Sequence, residues 1–317
     1  AHNSLLVYDP AEIFNTYGST IVNDGGQQWP NNRAESANLT DLMKKGYQQS
    51  EVLSRAFGPD MQKPDYSYIK GNLKGAYSSK VKDMFRSFVF LNLKNNTNPA
   101  ALIVYDNLVA SNPNFKKYWL LHSMEEPVIN GNVTTIKRTE SGYNGKLVLK
   151  TLLPAADNLQ IKKVGGQGNE FSVFGTNYDI GTGKPRSANE MGAWRIEVSP
   201  VRASLNDEFL NVMVVGDADR DQAPEAVKID SAMVVGVKLI DRVVTFSKNA
   251  MPLKGSVSFR VSAAEDKLNY LVTDLSDGSW KVSINGNVIE QKAKVSKEEG
   301  ILYFSGPPGE VALELQY

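Results

Sequence analysis

The sequence predicts an all-β protein, in which a large antiparallel two-sheet β-sandwich precedes a smaller β-domain. Runs rich in Val, Ile, Phe, Tyr and Thr recur along the chain, as in β-strands. Turn residues separate most of these runs, and short turns favour antiparallel strands packed as a sandwich. Residues 216–226 (GDADRDQAPEA) are charged and poor in large apolar side chains. We therefore predict a large sandwich over residues 1–225 and a small domain over residues 226–317, although strands near 233–246 fit either one.

Strand-like runs follow one another through the large domain with one exception. Residues 36–56 are more polar, and we expect one or two short helices there. Asn144-Gly145, between two strand-like runs, is typical of a tight hairpin turn. The expected strands of the large domain lie at residues 85–93, 101–108, 117–122, 133–137, 146–153, 170–178, 193–199 and 209–215. Those of the small domain lie at residues 233–239, 242–246, 256–261, 270–273, 280–284, 302–304 and 311–315.

Composition narrows the classes of partner. The 35 basic and 35 acidic residues give a formal net charge of zero. Neutrality argues against an electrostatic grip on nucleic acid by the molecule as a whole, although it is compatible with a local basic cleft. No apolar run approaches the roughly 18 residues of a membrane-spanning helix. Cysteine is absent, which excludes disulfides and thiolate chemistry. We expect neither a nucleic-acid partner nor insertion into a membrane.

A series of short motifs resembles one known family. Each motif is weakly specific alone, but their number and order make the family resemblance fairly specific. It covers most of residues 1–215 and, more loosely, the remainder. The chain is similar to the β-domains of heparinase II/III-like polysaccharide lyases. The motifs are HNSLLVYDPAEIF at 2–14, NDGGQ at 23–27, DYSYIKGNLKGAY at 65–77, RSFVFL at 86–91, WLLHSMEEP at 119–127, TLLP at 151–154, WRIEVSP at 194–200 and FLNV at 209–212.

The resemblance implies a place in a longer enzyme. Family members have an N-terminal helical toroid, then a large β-sandwich, then often a smaller β-domain. They cleave uronic-acid-containing polysaccharides such as heparin or heparan sulfate by β-elimination: a base removes the C5 proton, the uronate charge is neutralised, and an acid, commonly Tyr, protonates the leaving oxygen. Most of these groups lie on the toroid. We therefore expect this chain to be the C-terminal β-sheet part of such a lyase, inactive by itself.

In that role the chain would complete the cleft and position an anionic polysaccharide, with the toroid of the parent chain as its partner. The family's substrates imply a periplasmic or secreted location in a bacterium. A different class of function stays open, namely a non-catalytic carbohydrate-binding or structural β-sandwich module. The sequence that precedes residue 1 in the gene would discriminate between the two.

His2 is the one position where the resemblance implies a metal ligand. Its HN motif resembles the family position whose His helps to hold zinc, and the family's companion ligands, a His and an Asp, lie upstream of this motif. One imidazole cannot complete a zinc site, which takes about four ligands. We therefore expect no cofactor in this chain and zinc only in a full-length parent. The alternative is that His2 has no role.

His122 has two interpretations. As a functional group it would transfer protons near neutral pH, with a carboxylate to orient it, which makes it the catalytic candidate of this chain. The other interpretation is a buried, hydrogen-bonded core residue. Glu125 and Glu126 do not form a glycosidase pair, because adjacent strand residues point to opposite faces.

The candidate substrate-binding residues lie in the irregular segment 23–75. An exposed Trp29 would stack on a sugar ring, or it belongs to the core. The nearby cations would pair with sulfate or uronate groups, or they form an ordinary solvated surface. The cations of this segment include Arg33, Lys44, Lys45, Arg55, Lys70 and Lys74. We take the first four as the candidate contacts.

Overall fold

The structure, a computed structural model, describes residues 3–16, 19–28, 36–44, 47–177, 193–220 and 223–316. The described residues are almost entirely β, as predicted. The strands before residue 218 are β1 (Leu5–Tyr8), β2 (Phe14–Thr16), β3 (Ser19–Ile21), β4 (Glu51–Gly58), β5 (Tyr66–Asn72), β6 (Val81–Asn92), β7 (Ala100–Ala110), β8 (Lys116–Ser123), β9 (Val128–Asn130), β10 (Val133–Arg138), β11 (Gly145–Leu153), β12 (Leu159–Gly165), β13 (Ser172–Val173), β14 (Thr176–Asn177), β15 (Trp194–Pro200) and β16 (Asn206–Asp217).

The later strands are β17 (Ala226–Asp230), β18 (Val234–Leu239), β19 (Arg242–Ser247), β20 (Ser256–Val261), β21 (Leu268–Val272), β22 (Gly278–Ile284), β23 (Asn287–Val295), β24 (Leu302–Gly306) and β25 (Gly309–Gln316). Within the described residues, helical structure is limited to α1 (Leu39–Leu42) and to 3₁₀ turns at Lys74–Ala76 and Ala156–Asn158.

The large sandwich consists of a four-stranded sheet on an eight-stranded sheet. The four-stranded sheet has the order β1-β8-β15-β12, and the eight-stranded sheet has the order β4-β5-β6-β7-β16-β11-β10-β9. Every neighbouring pair in these two sheets is antiparallel. The apolar faces of the two sheets enclose one core, which includes Leu5, Val7, Trp119, Leu121, Ile196, Val198, Met84, Leu108 and Phe209.

The other face of the eight-stranded sheet is also buried. It packs on a five-stranded sheet of order β17-β18-β19-β21-β24, in which β19 and β21 form a parallel pair. Because successive strand residues point to opposite faces, Val104 of β7 faces the first core while Ile103 and Tyr105 face this second one. The second core includes Tyr66, Val89, Ile103, Val212, Val235, Val237 and Phe246.

The five-stranded sheet in turn covers a four-stranded sheet of order β20-β25-β22-β23. Their shared core centres on Trp280, which has no exposed surface. The four larger sheets of the described residues therefore form a stack with three apolar layers between them. The prediction of a sandwich followed by a smaller β-domain is confirmed, while the division into folding units at residues 225 and 226 stays a prediction.

A buried ion pair joins the eight-stranded sheet to the segment that follows β21 of the five-stranded sheet. Lys70 Nζ of β5 lies 2.6 Å from Asp274 Oδ1 and donates a hydrogen bond to the Ala250 carbonyl at 2.7 Å. Tyr68 and the Ser247 backbone N–H also donate to the Asp274 carboxylate, at 3.2 and 2.9 Å. A buried charge must be paired and hydrogen-bonded in this way to be tolerated. These contacts fix the small domain on the sandwich.

Two local predictions were wrong. The strand predicted over residues 170–178 is not continuous in its described part: β13 and β14 make a hairpin with Phe174-Gly175 at its turn. The connection between β10 and β11 is not a tight Asn144-Gly145 turn, because Arg138 already pairs with Gly145 and the turn lies at residues 140–143. By contrast, residues 36–56 contain a short helix as expected, α1, before strand β4 begins at Glu51.

Candidate functional site

Four of the predicted site residues lie outside the described residues: His2, Trp29, Arg33 and Lys45. Their proposed roles stay predictions. The two remaining members of the predicted cationic cluster are already paired. Lys44 forms an ion pair with Asp41 at the end of α1. Arg55 of β4 lies 2.7 Å from Glu298 of the small domain, and both side chains are largely exposed. Exposed pairs of this kind contribute little free energy, so a polyanion could displace them.

His122 lies on the outer face of the four-stranded sheet. Its side chain is half-buried, and its role in catalysis stays a prediction. Its Nδ1 and backbone N–H lie 3.0 and 2.8 Å from Asn3 Oδ1, so the Asn3 amide is one group that orients the ring. Arg86 fixes Asn3 in turn, because its guanidinium donates to the Asn3 carbonyl at 3.0 Å.

The same outer face carries a set of polar side chains that the sequence analysis did not single out. On β8, Trp119 and Leu121 point into the core, so Tyr118 and His122 point outward. On β15, Ile196 and Val198 point inward, so the side chains at 195, 197 and 199 share the outer face. Register then places them side by side: Arg195 pairs with His122, and Glu197 pairs with Lys162 of β12.

A cleft of about 740 Å³ follows this face. Its lining includes five basic residues and one acidic residue. Three of the basic groups have carboxylate partners. Lys117 lies 3.0 Å from Asp207, Arg202 lies 2.8 Å from Asp157, and Arg195 lies 2.7 Å from Glu197. The other two, Lys116 and Lys162, are exposed, and within the described part of the chain neither has an ion-pair partner.

Aromatic side chains form one wall of the cleft. Phe174, at the turn of the β13–β14 hairpin, lies over Tyr8 and Tyr118 with ring centroids 4.4 and 5.9 Å away. Phe174 has φ of +46° and is 48% exposed. A two-residue turn of this kind usually takes Asn or Gly, because a bulky side chain is strained at positive φ.

Arg195 connects the hairpin to the sheet. Its Nη1 donates to the Ser172 carbonyl at 2.5 Å, and its Nε donates to Glu197 Oε1 at 2.9 Å. Burial and the nearby Glu197 carboxylate raise the pKa of the Tyr118 phenol above its ordinary value. Tyr118 is therefore protonated at neutral pH and can donate a hydrogen bond into the cleft.

The described residues do not fit a metal site. Among them there is no group of three or more His, Asp or Glu side chains arranged to hold an ion. The described helices include none that is long and apolar enough to cross a membrane.

The fold and the cleft define a stacked β-sheet protein with a cationic, aromatic surface. Residues 228–315 match the family model described as "Heparinase II C-terminal domain". This confirms the resemblance to heparinase II/III-like lyases, in the part of the chain where the sequence motifs were loosest. No curated protein matches the chain.

Solved structures of other proteins are similar in part, and two of them serve as examples. One is the heparan sulfate lyase HepC from Pedobacter heparinus, with 13% identity and a TM-score of 0.41 over 73% of this chain and 35% of that one. The other is a heparinase III, with 12% identity and a TM-score of 0.39 over 62% of this chain and 27% of that one. The chain thus spans about a third of the length of these lyases, and likeness at this level carries no argument about activity.

Proposed function

We propose that this chain is the C-terminal β-sheet part of a polysaccharide lyase and that it positions an anionic polysaccharide for β-elimination. The observation that carries the proposal is the family match of residues 228–315. All nine strands of the two C-terminal sheets lie wholly or largely within these residues. The ion pair of Lys70 with Asp274 fixes them on the sandwich.

Elimination needs a base for the C5 proton, positive charge near the uronate, and an acid for the leaving oxygen. The described residues can supply positive charge through Lys116 and Lys162 and a protonated phenol through Tyr118. For the base we look to a preceding helical toroid, as the family resemblance implies. Such a parent would hold zinc through His2 and act in the periplasm or outside the cell, where its substrates are found.

A non-catalytic carbohydrate-binding module is the second candidate. One observation favours it: a cationic and aromatic cleft can hold a glycan without any acid or base. The two candidate functions predict different lyase activities for the parent chain: the first predicts activity, and the second predicts none.

The experiment is a lyase assay on two proteins, residues 1–317 alone and the full parent chain. Each is incubated with heparin, heparan sulfate, alginate and chondroitin, and the ultraviolet absorbance of unsaturated uronate products is followed. We expect no activity from residues 1–317 and activity from the parent. Robust activity of the isolated chain would place the whole catalytic set within it, and an inactive parent would favour the binding module.

A further inference from the structure

We infer that the outer face of the four-stranded sheet is a binding site for an anionic glycan chain, which lies in the cleft beneath the Phe174 hairpin. The inference extends the proposed function. It takes from that proposal only the class of ligand, an anionic polysaccharide. It assigns the polysaccharide contact to β8, β12 and β15 rather than to segment 23–75, which contains β4 and β5 and is not irregular throughout.

Charge is the first support. The whole chain has 35 basic and 35 acidic residues, yet the cleft lining has five basic residues to one acidic, or four to one once Lys117, which is buried against Asp207, is set aside. With Glu197, Asp207 and Asp157 each engaged by one of these cations, Lys116 and Lys162 are left without partners in the described part of the chain. Two unpaired ammonium groups in one cleft attract a polyanion, and sulfate and carboxylate groups are suitable acceptors for them.

The aromatic wall is the second support. Among anionic ligands, it favours one that contains sugar rings. Tyr118 is half-buried, while Phe174 is 48% exposed above it. The flat apolar face of an aromatic ring can pack against the C–H groups on one face of a pyranose. The neighbouring amide of Gln160 and hydroxyl of Ser199 can bond sugar hydroxyls.

The backbone of Phe174 is the third support. A bulky residue rarely adopts a φ of +46°, and backbone strain of this kind often occurs at binding sites. Arg195 holds the hairpin to the sheet through Ser172, so the wall is in place before a ligand arrives. A preformed wall reduces the ordering cost of binding.

The test is calorimetric titration of residues 1–317 with a size-defined heparin oligosaccharide, at low salt and at about 0.15 M salt. The Lys116→Ala/Lys162→Ala variant removes both unpaired charges. Its matched control is Lys292→Ala/Lys294→Ala, which removes two exposed lysines of the small domain with the same change in net charge. We expect the first variant to bind between about fivefold and thirtyfold more weakly than wild type, and the control to bind within about twofold of it.

Phe174→Asn tests the aromatic wall separately. Asn accepts positive φ, so the hairpin should keep its turn and the protein its thermal stability, while affinity for the oligosaccharide falls severalfold. The Arg33→Ala/Arg55→Ala variant reports on the segment 23–75 and should bind like wild type.

Three results would overturn the inference. The first is equal weakening by the two lysine pairs. The second is loss of binding only in Arg33→Ala/Arg55→Ala. The third is equally tight binding of single-stranded DNA, which would make the face a general polyanion surface. Neutral dextran should not bind. None of these readouts uses lyase activity, so failure here leaves the lyase proposal standing, and an inactive parent enzyme leaves this site standing.

Discussion

The buried ion pair between Lys70 and Asp274 gives the sharpest prediction about stability. The Lys70 and Asp274 side chains are 5% and 3% exposed. Replacing Asp274 by Asn removes the charge but keeps an oxygen that can accept from the Ser247 N–H. Asp274 has φ of +61°, a conformation that Asn also tolerates, so backbone strain does not confound the result. The variant leaves one ammonium group buried without a counter-charge.

We expect Asp274→Asn to lower the free energy of unfolding by about 3–5 kcal/mol, the usual cost of breaking a buried pair by removing one partner. This is a large part of the roughly 5–15 kcal/mol that stabilises an ordinary domain. The double variant Lys70→Met/Asp274→Asn carries no buried charge and should recover at least half of the loss. Arg55→Ala, which breaks the exposed pair with Glu298, should cost no more than about 1 kcal/mol.

The assay is urea denaturation, followed by circular dichroism and by tryptophan fluorescence. Trp119 and Trp280 lie in the first and third cores, on either side of the perturbed layer. If the circular dichroism and fluorescence transitions occur at different urea concentrations, the small domain of the variant separates before the sandwich unfolds. A cost below about 1 kcal/mol for Asp274→Asn, or a double variant no more stable than the single one, would refute this account of the pair.

Two further predictions concern metal and pH. Purified residues 1–317 should hold no stoichiometric zinc after dialysis; about one zinc per chain by elemental analysis, lost in His2→Ala, would reveal a complete site at that end. Burial raises the pKa of Glu208, which accepts a hydrogen bond from Tyr105, so the stability that Glu208 contributes is present below its ordinary pKa and is lost as pH rises through the raised value. Glu208→Gln should therefore gain stability relative to wild type as pH rises from 4 to 7, and a constant difference in urea midpoint across this range would contradict the argument.

Strands with one regular apolar face could be predicted from the sequence. Strand β5 shows why strands without such a face could not. Tyr66, Tyr68 and Lys70 all point into the second core, so a lysine stands where the alternating pattern requires an apolar side chain. Its partner Asp274 lies 204 residues further along the chain. No local pattern contains that information.

The cleft was missed for a related reason. Alternation in β8 and β15 does show which side chains share a face, and Tyr118, Arg195 and Glu197 could have been marked as outward-pointing. That β15 lies between β8 and β12 is a matter of long-range pairing. The hairpin at Phe174 was hidden because Phe is an unusual residue at a positive φ.

The two-sided burial of the eight-stranded sheet limits how this protein can be shortened. A fragment that ends before Ala226 keeps every strand of that sheet but loses its cover of Val235, Val237 and Phe246. Tyr66, Val89 and Ile103 would then face water as part of a contiguous apolar surface, the kind that causes self-association. Truncation would therefore test solubility before it tests ligand binding, and point substitutions in the intact chain are the sounder tool.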